Sequence, residues 1–267
     1  MAGVVRREEV GPESHPGAVI EVTMTHDERR NALSDDMLAA LGAEVERATE
    51  ECARALIIRA EAGASTWSAG YAIDALPTDG SDPLTWTNPL EAFLQRLRKA
   101  PFPVIAAVEG GVWGGACELV LTCDLIIAVR SSSFAITPAR LGVPYNTAGV
   151  AHVLSALPLN VAKEIFFTAD PMSADQWAQW GVVNRLVADA GELQVEARQI
   201  ARRIAQRAPL AIRAIKGEMR ALTDARSLTS DDFERLTELR RAAWSSADYQ
   251  EGVKAFLEKR SPNVRGE

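Results

Sequence analysis

A run of glycines between an apolar strand and an apolar helix constrains this chain more than any other feature. The apolar residues 104–108 predict a buried strand, and residues 116–121 predict a helix. The six residues 110–115 between them contain four glycines. A helix that begins directly after such a turn exposes unpaired backbone N–H groups at the positive end of its dipole. This site can hold an anion, or an oxygen that becomes negative during a reaction.

The composition excludes several classes of function. The 267 residues are 47% hydrophobic, so a sizeable core can form without a metal or a disulfide. The net charge of −7 argues against a nucleic-acid partner, because a basic surface is what binds phosphate. No apolar run approaches the ~20 residues of a membrane span, and residues 1–16 lack the apolar segment of a signal peptide. We therefore expect a cytoplasmic protein with no membrane partner.

The order of predicted elements indicates an α/β fold. Strands and helices alternate up to about residue 148, as in parallel α/β cores, and helices follow one another after it. The last helices are amphipathic, which predicts contacts with another subunit. The chain is divided into a flexible N-terminal tail (1–16), a core (17–200) and a C-terminal helical region (201–267). The four amphipathic helices are predicted over residues 193–206, 210–222, 232–244 and 249–259.

Two glycine turns, each placed after a strand, can serve one reacting oxygen. They are Ser68-Ala69-Gly70-Tyr71 and Trp113-Gly114-Gly115. One backbone N–H from each turn can converge on a carbonyl oxygen and form an oxyanion hole, in which each donor is typically worth about 10²–10³ in rate. Either turn alone fits a plain connection between a strand and a helix. The two together favour the oxyanion hole.

Four segments of this chain resemble the crotonase superfamily, which is the enoyl-CoA hydratase/isomerase fold. The resemblance extends over about residues 19–262. It implies a spiral ββα core with a C-terminal helical region that forms trimers, in a homotrimer or a dimer of trimers. The segments that carry it are Arg30-Asn31-Ala32-Leu33-Ser34, Trp67-Ser68-Ala69-Gly70, Gly114-Gly115-Ala116-Cys117-Glu118-Leu119 and Leu141-Gly142-Val143-Pro144.

Within the superfamily, the chain is most similar to the methylmalonyl-CoA decarboxylases. This resemblance implies a carboxy-lyase that converts methylmalonyl-CoA to propionyl-CoA through a thioester enolate. It implies no metal and no cofactor, because coenzyme A is part of the small-molecule substrate. Ethylmalonyl-CoA and malonyl-CoA stay open as substrates. The similar segments are residues 82–84, 88–90, 112–115, 137–138, 141–146, 248–252 and 255–260.

The resemblance also assigns roles to individual residues. The backbone N–H groups of Tyr71 and Gly115 form the oxyanion hole, and Tyr145 faces the substrate carboxylate. Phe256 and Lys259, one helical turn apart on a single face, reach the nucleotide from a neighbouring subunit. Further contacts to the substrate or to coenzyme A are implied for Arg30, Ala32, Ala69, Tyr71, Ile73, Gly114, Pro138 and Asn146.

Glu118 and Pro138 bear on the choice of reaction. Glu118 matches one of two catalytic glutamates of the superfamily's hydratases, and the second falls at Pro138, which can neither take nor give a proton. Hydration needs a positioned acid and base, so decarboxylation is favoured over a hydratase or isomerase that uses Glu118 alone. Glu118 is either a group that orients or protonates the substrate, or a carboxylate favoured by a helix start. A non-catalytic acyl-CoA binder or an RNA-associated relative is the third hypothesis.

One departure from the decarboxylase pattern affects the predicted site. This chain has Ser68-Ala69-Gly70-Tyr71-Ala72 where the decarboxylases have Ser-Ala-Gly-His-Asp. A backbone N–H survives any side-chain change except one to proline, so we expect the oxyanion hole to persist. We expect the different side chains at these two positions to affect the substrate preference and the protonation step. His152 is interpreted as a packed or surface histidine.

Overall fold

Two β-sheets organise the computed structural model of the chain, which describes residues 4–10, 18–72, 88–223, 234, 237–238 and 241–263. The strands are β1 (Val5–Glu9), β2 (Val19–Met24), β3 (Ala55–Ala60), β4 (Thr66–Ser68), β5 (Val104–Val108), β6 (Gly111–Trp113), β7 (Leu125–Val129), β8 (Ser133–Ala135), β9 (Met172–Ser173) and β10 (Arg185–Val187).

Helices follow the strands along the chain. No helix in the described ranges combines the length and the apolar composition needed to cross a membrane. The helices are α1 (Asp35–Glu50), α2 (Pro89–Lys99), α3 (Gly115–Thr122), α4 (Thr147–Ala156), α5 (Leu159–Thr168), α6 (Ala174–Gln179), α7 (Ala190–Ala205), α8 (Pro209–Thr223) and α9 (Ala247–Leu257).

The chain winds into a spiral because consecutive strands enter different sheets. The large sheet has the order β1-β2-β3-β5-β7-β10, and the small sheet has the order β4-β6-β8-β9. Thus β3 is followed by β4, β5 by β6 and β7 by β8, and after each pair comes a helix, α2, α3 and α4 in turn. Neighbours in the large sheet are parallel except for β1 and β2. The predicted ββα spiral is confirmed.

Both faces of the large sheet are buried, which explains its nearly uninterrupted apolar strands. The main core fills one face, together with α1, α2 and α3. Helix α7 covers the other face through Leu193, Ala197 and Ala201, which pack with Ile57 and Ile105. These three residues are four positions apart, so they lie on one side of α7. The predicted boundary at residues 200 and 201 therefore falls inside a helix that belongs to the core.

The predicted N-terminal tail over residues 1–16 is wrong for Val5–Glu9. These residues form β1, which pairs antiparallel with β2, with Val5 opposite Met24. Four of the five residues in β1 are charged, so the strand lacks the apolar alternation that predicts strands. Backbone pairing and ion pairs such as Arg6–Glu61 hold it instead.

The last described helix ends earlier than predicted. Lys259 has a φ of 53°, and its N–H donates to the Phe256 carbonyl oxygen over 3.1 Å, while the Arg260 N–H donates to that of Ala255 over 3.0 Å. This pair of bonds is a Schellman motif, which ends a helix. Lys259 therefore lies beyond α9, and the prediction that it shares a helix face with Phe256 is wrong. The helix predicted over 232–244 is described only at 234, 237–238 and 241–244, which are helical.

A buried carboxylate joins α7 to the sheet. The Glu21 side chain, on β2, is 3% exposed and accepts hydrogen bonds from Arg59 Nη1 (3.2 Å) and Arg198 Nε (2.8 Å). Arg59 lies on β3 and Arg198 on α7. Charge-assisted bonds of this kind are stronger than neutral ones, and here they connect three elements of the core.

We expect Glu21→Gln to lower the free energy of unfolding by about 3 kcal/mol, because it leaves the buried Arg59 guanidinium without its counter-charge and removes one of the two ion pairs of Arg198, which keeps its pair with Glu8. Glu61→Gln is the matched control. It breaks the exposed Arg6–Glu61 pair and should cost less than about 1 kcal/mol. Denaturant unfolding followed by circular dichroism measures both. Equal losses for the two variants would contradict a structural role of the Glu21 network.

Candidate active site

Two neighbouring strands of the small sheet end at the same edge. Strands β4 and β6 pair in parallel, with Thr66 opposite Gly111 and Ser68 opposite Val112. The chain leaves β4 through Ala69 and Gly70 to Tyr71, and it leaves β6 through Gly114 into α3. Because parallel strands end at the same edge of a sheet, the two glycine turns meet there.

The turns approach each other so closely that a side chain does not fit between them. Gly70 has a φ of 83°, and a Cβ there would lie 2.2 Å from the Trp113 carbonyl oxygen and 3.1 Å from the Gly115 nitrogen. A Cβ at Gly115 would lie 3.6 Å from the Tyr71 nitrogen. Neither of these N–H groups has a backbone acceptor within the described ranges. They form a neighbouring pair of donors, as the predicted oxyanion hole requires.

The first glycine turn is hydrogen-bonded to an earlier turn of the chain, residues 30–33. The Ala69 N–H donates to the Arg30 carbonyl oxygen over 2.9 Å, and the Leu33 N–H donates to that of Gly70 over 2.8 Å. Arg30 itself has a left-handed backbone, with a φ of 50°. Three residues predicted to contact coenzyme A, Arg30, Ala32 and Ala69, therefore belong to one hydrogen-bonded unit beside Tyr71.

A small cavity of about 80 Å³ adjoins the two glycine turns. Phe256 and Lys259 are exposed and do not line it, and neither do Arg30 and Ala32. Ile73 lies outside the described residues. The predicted site residues that line the cavity are Ala69, Tyr71, Gly114, Gly115, Glu118, Pro138, Tyr145 and Asn146, and its apolar wall comes from Leu90, Leu94, Leu141 and Val143.

Tyr145 brings a buried hydroxyl to this cavity. The hydroxyl has no hydrogen-bond partner among the described residues, and its ring packs edge-on against Phe166 with centroids 5.2 Å apart. The ring also occupies the space beside Gly149, where a Cβ would come within 2.3 Å of Tyr145 Cε1. Burial above all, and then the charge of Glu118, raises the pKa of Tyr145 well above its ordinary value of 10.0. The hydroxyl is therefore a neutral group that can donate to a ligand.

Glu118 extends from the first turn of α3 and is almost fully buried. Its Oε1 lies 3.2 Å from Nδ1 of His152 on α4, and Nε2 of His152 lies 2.7 Å from Nη1 of Arg98 on α2. The sequence interpretation of His152 as a packed or surface residue missed this contact. Glu118 and His152 are 34 positions apart, so only the fold brings them together.

Asn88 also lines the cavity, and sequence reasoning did not propose it as a site residue. Its Oδ1 caps α2 by accepting from the Leu90 N–H over 2.8 Å, and its side chain hydrogen-bonds to that of Tyr71. Burial raises the pKa of Tyr71, and the bond to Asn88 opposes that rise. The available signal was an asparagine followed by a proline, which is typical of a helix start.

Glu91 is a second buried carboxylate on the cavity wall that the sequence did not point to. Its Oε1 accepts a hydrogen bond from Gln95 Nε2 over 3.1 Å, whereas its Oε2 has no partner in the described part of the chain. An acid one turn before an amide on an amphipathic helix is an ordinary surface pair, so the pattern gave no hint of burial.

The cavity can stabilise a negative oxygen without a cation. Two adjacent N–H donors stabilise a carbonyl oxygen most strongly when that oxygen gains negative charge during the reaction. The neutral Tyr145 hydroxyl can hold a second acceptor on the same ligand, and Glu118 is a carboxyl within the cavity wall. No lysine or arginine is among the described residues that line the cavity. The arrangement fits chemistry that passes through an oxyanion.

Comparisons with known proteins agree with this geometry. Residues 14–267 match the family model described as enoyl-CoA hydratase/isomerase. The chain is 43% identical over 253 residues to methylmalonyl-CoA decarboxylase of Escherichia coli (strain K12), covering 93% of this chain and 94% of that relative. It is 34% identical over 253 residues to carnitinyl-CoA dehydratase of Salmonella arizonae, covering 94% and 96%.

A solved structure gives the same answer for the fold. Methylmalonyl-CoA decarboxylase complexed with 2S-carboxypropyl-CoA superposes with a TM-score of 0.94 at 39% sequence identity. The match covers 99% of this chain and 98% of that chain. The resemblance to the superfamily and to its decarboxylases, predicted from short motifs, is confirmed by these comparisons.

We expect Gly70→Ala to be more damaging than Gly63→Ala. Both positions have a left-handed φ, 83° and 82°, so both variants bear a backbone cost of about 1–2 kcal/mol. Only the Cβ at Gly70 also meets backbone atoms, since nothing lies within 4 Å of a Cβ at Gly63. Thermal unfolding of the two variants measures the difference. Equal melting temperatures would contradict the close contact between the two glycine turns.

Proposed function

Because this chain belongs to the enoyl-CoA hydratase/isomerase family, we propose that it acts on an acyl-CoA thioester and removes CO₂ from methylmalonyl-CoA to give propionyl-CoA. The observation that carries the proposal is the unpartnered, neutral hydroxyl of Tyr145 in the cavity that also holds the N–H groups of Tyr71 and Gly115. The decarboxylase relative from Escherichia coli supports it.

The first step of the proposed reaction makes an enolate. The thioester oxygen accepts hydrogen bonds from the N–H groups of Tyr71 and Gly115. The bond between C2 and the carboxylate carbon then breaks, CO₂ leaves, and the electron pair moves into the thioester, whose oxygen becomes negative. Each preorganised donor is typically worth about 10²–10³ in rate, because it strengthens as the charge develops.

In this scheme Tyr145 holds the carboxylate that is lost. The carboxylate must stand out of the thioester plane, so that the breaking bond aligns with the carbonyl π system. A neutral hydroxyl binds a carboxylate more weakly than a guanidinium does. Tyr145 therefore orients the substrate without stabilising the ground state more than the transition state. Gly114, Pro138 and Asn146, which also line the cavity, complete the proposed substrate contacts.

The second step adds a proton to C2, and we assign it to Glu118. A new C–H bond forms as the O–H bond of the Glu118 carboxyl breaks, and Glu118 keeps the electron pair as a carboxylate. After propionyl-CoA leaves, the Glu118 carboxylate takes up one proton from the solvent, so that each turnover consumes one proton for each CO₂ released. Pro138, on the same cavity wall, has no group that could share this work.

We propose that coenzyme A contacts Arg30, Ala32, Ala69 and Ile73, and that the enzyme needs neither a metal nor a cofactor. The chain would be cytoplasmic and would form a homotrimer or a dimer of trimers, in which Phe256 and Lys259 reach the nucleotide of a neighbouring subunit. Helix α8 supports an oligomer, because none of its residues is buried within the described part of the chain. Its exposed apolar residues are Leu210, Ile215, Met219 and Leu222.

Hydration of an enoyl-CoA is a second candidate, and one observation favours it. Glu91 adds to the cavity a buried carboxylate with an unpartnered Oε2, so that Glu118 and Glu91 together could supply an acid and a base. Pro138 excludes the family's usual second glutamate but does not exclude this pair. The two candidates differ in the substrate they turn over.

We expect kcat/KM for CO₂ release from methylmalonyl-CoA to exceed kcat/KM for the hydration of crotonyl-CoA, because Tyr145 suits a carboxylate. Both rates are measured on one preparation of the wild-type protein. The reverse order would establish the second candidate, and Glu91→Gln would then remove hydration. Binding of both thioesters without turnover of either would favour a non-catalytic acyl-CoA binder.

Tyr145→Phe should lower kcat for CO₂ release by about 10²-fold, because it removes the only hydroxyl proposed to hold the carboxylate. The fold should survive, since the ring contact with Phe166 is kept. Release of CO₂ is measured together with the circular dichroism spectrum. Tyr249→Phe is the matched control, because Tyr249 is buried against Trp244 and does not line the cavity. Wild-type turnover in Tyr145→Phe would remove Tyr145 from the mechanism.

A further inference from the structure

Arg98, His152 and Glu118 form a row of hydrogen-bonded side chains that ends at the cavity. The proposed reaction uses only Glu118. Arg98 on α2 contacts His152 on α4 over 2.7 Å, and His152 contacts Glu118 on α3 over 3.2 Å. The side chains of His152 and Glu118 are 14% and 3% exposed, so water competes little for these bonds. The row therefore joins the three helices that surround the cavity.

The chemistry of Arg98 sets the direction of the whole row. A guanidinium can only donate hydrogen bonds, so Nε2 of His152 must accept one. The single ring proton of His152 then lies on Nδ1 and is donated to Glu118 Oε1. A doubly protonated ring would set two N–H groups against each other over the 2.7 Å between Arg98 and His152. His152 is thus a neutral relay that passes one hydrogen bond from Arg98 towards Glu118.

The other oxygen of Glu118 lies on the side of Tyr145. A Cβ at Gly149 would lie 2.8 Å from Glu118 Oε2 and 2.3 Å from Cε1 of the Tyr145 ring, so both side chains border the same space. The carboxyl is therefore held at Oε1 by His152, while Oε2 stands next to the residue that faces the substrate. A carboxyl fixed at one oxygen does not rotate freely, so its second oxygen keeps one position.

We propose that His152, locked in one tautomer by Arg98, is a positioning residue that holds Glu118 for proton transfer to C2 of the enolate. This inference rests on the proposed function. When Glu118 gives up its proton, the electron pair stays on the carboxylate. The Nδ1–H of His152 and the positive charge of Arg98 stabilise that carboxylate, in a site where few water molecules could do so.

Two substitutions at His152 separate positioning from packing. In His152→Asn, the side-chain Nδ2 lies close to where Nδ1 lies in histidine, so a donor to Glu118 is kept. His152→Ala removes that donor. We expect His152→Ala to lower kcat with methylmalonyl-CoA about tenfold or more, with KM changed less than about twofold. The solvent deuterium isotope effect on kcat should rise, because proton transfer becomes slower, and His152→Asn should recover most of kcat.

Wild-type kcat and isotope effect in His152→Ala would overturn the proposal. So would an equal loss in His152→Ala and His152→Asn, because a purely structural role predicts no rescue by the donor. Circular dichroism and the melting temperature of both variants identify a folding defect. If the wild-type protein releases no CO₂ from methylmalonyl-CoA, the proposed function fails. The tautomer of His152 can still be determined by ¹⁵N spectroscopy, which needs no turnover.

The tautomer is testable without turnover. The chain has three histidines, His15, His26 and His152, so ¹⁵N spectra of histidine-labelled protein contain few imidazole signals. His152→Asn identifies the signals of His152 by their loss. We expect a protonated Nδ1 and an unprotonated Nε2 in the wild type, and a mixture of tautomers in Arg98→Met. A protonated Nε2 in the wild type would overturn the lock.

Discussion

The parallel pairing of β4 with β6 is the constraint on which the rest of the site depends. The register of this pair shifts between Thr66 and Ser68, and Trp67 lies at the shift. Trp67 is fully buried and donates from Nε1 to the Ala107 carbonyl oxygen of β5 over 2.9 Å. This bond ties the small sheet to the large one. The position of the Tyr71 N–H relative to Gly115 is thereby set by the core and not by a free loop.

The spiral also explains how a cavity with no lysine or arginine in its described lining can favour an anion. In each turn of the spiral a helix begins at the edge where the strands end, and three such helices open on the cavity. Asn88 is the N-cap of α2, Gly114 of α3 and Asn146 of α4, and all three residues line the cavity. The positive ends of three helix dipoles therefore converge there. In the proposed reaction, a lysine or arginine at this place would bind the substrate carboxylate too strongly for its loss.

The parts of the site that the sequence predicted are those with a local signal. The two glycine turns, Tyr145 and Glu118 follow strands or begin helices within short motifs, and all of them line one cavity. Glu91 and His152 carry no such signal, because each lies on a helix whose burial is decided by distant segments. The same reason applies to β1, whose charged residues have no apolar alternation. Local patterns reveal turns and helix starts, whereas contacts between helices require the fold.

This chain has Tyr71 and Ala72 where the decarboxylases have a His-Asp pair. The hydrogen bonds from Arg98 through His152 to Glu118 show where an imidazole lies instead. Tyr71 keeps the backbone donor, and its hydroxyl is engaged by Asn88 at the start of α2. Among the described residues, the cavity wall that carries the two proposed oxyanion donors has no imidazole. An imidazole is found instead on α4, between Arg98 and Glu118. In the proposed mechanism, His152 therefore lies behind Glu118, where it sets the orientation of the carboxyl without contacting the enolate.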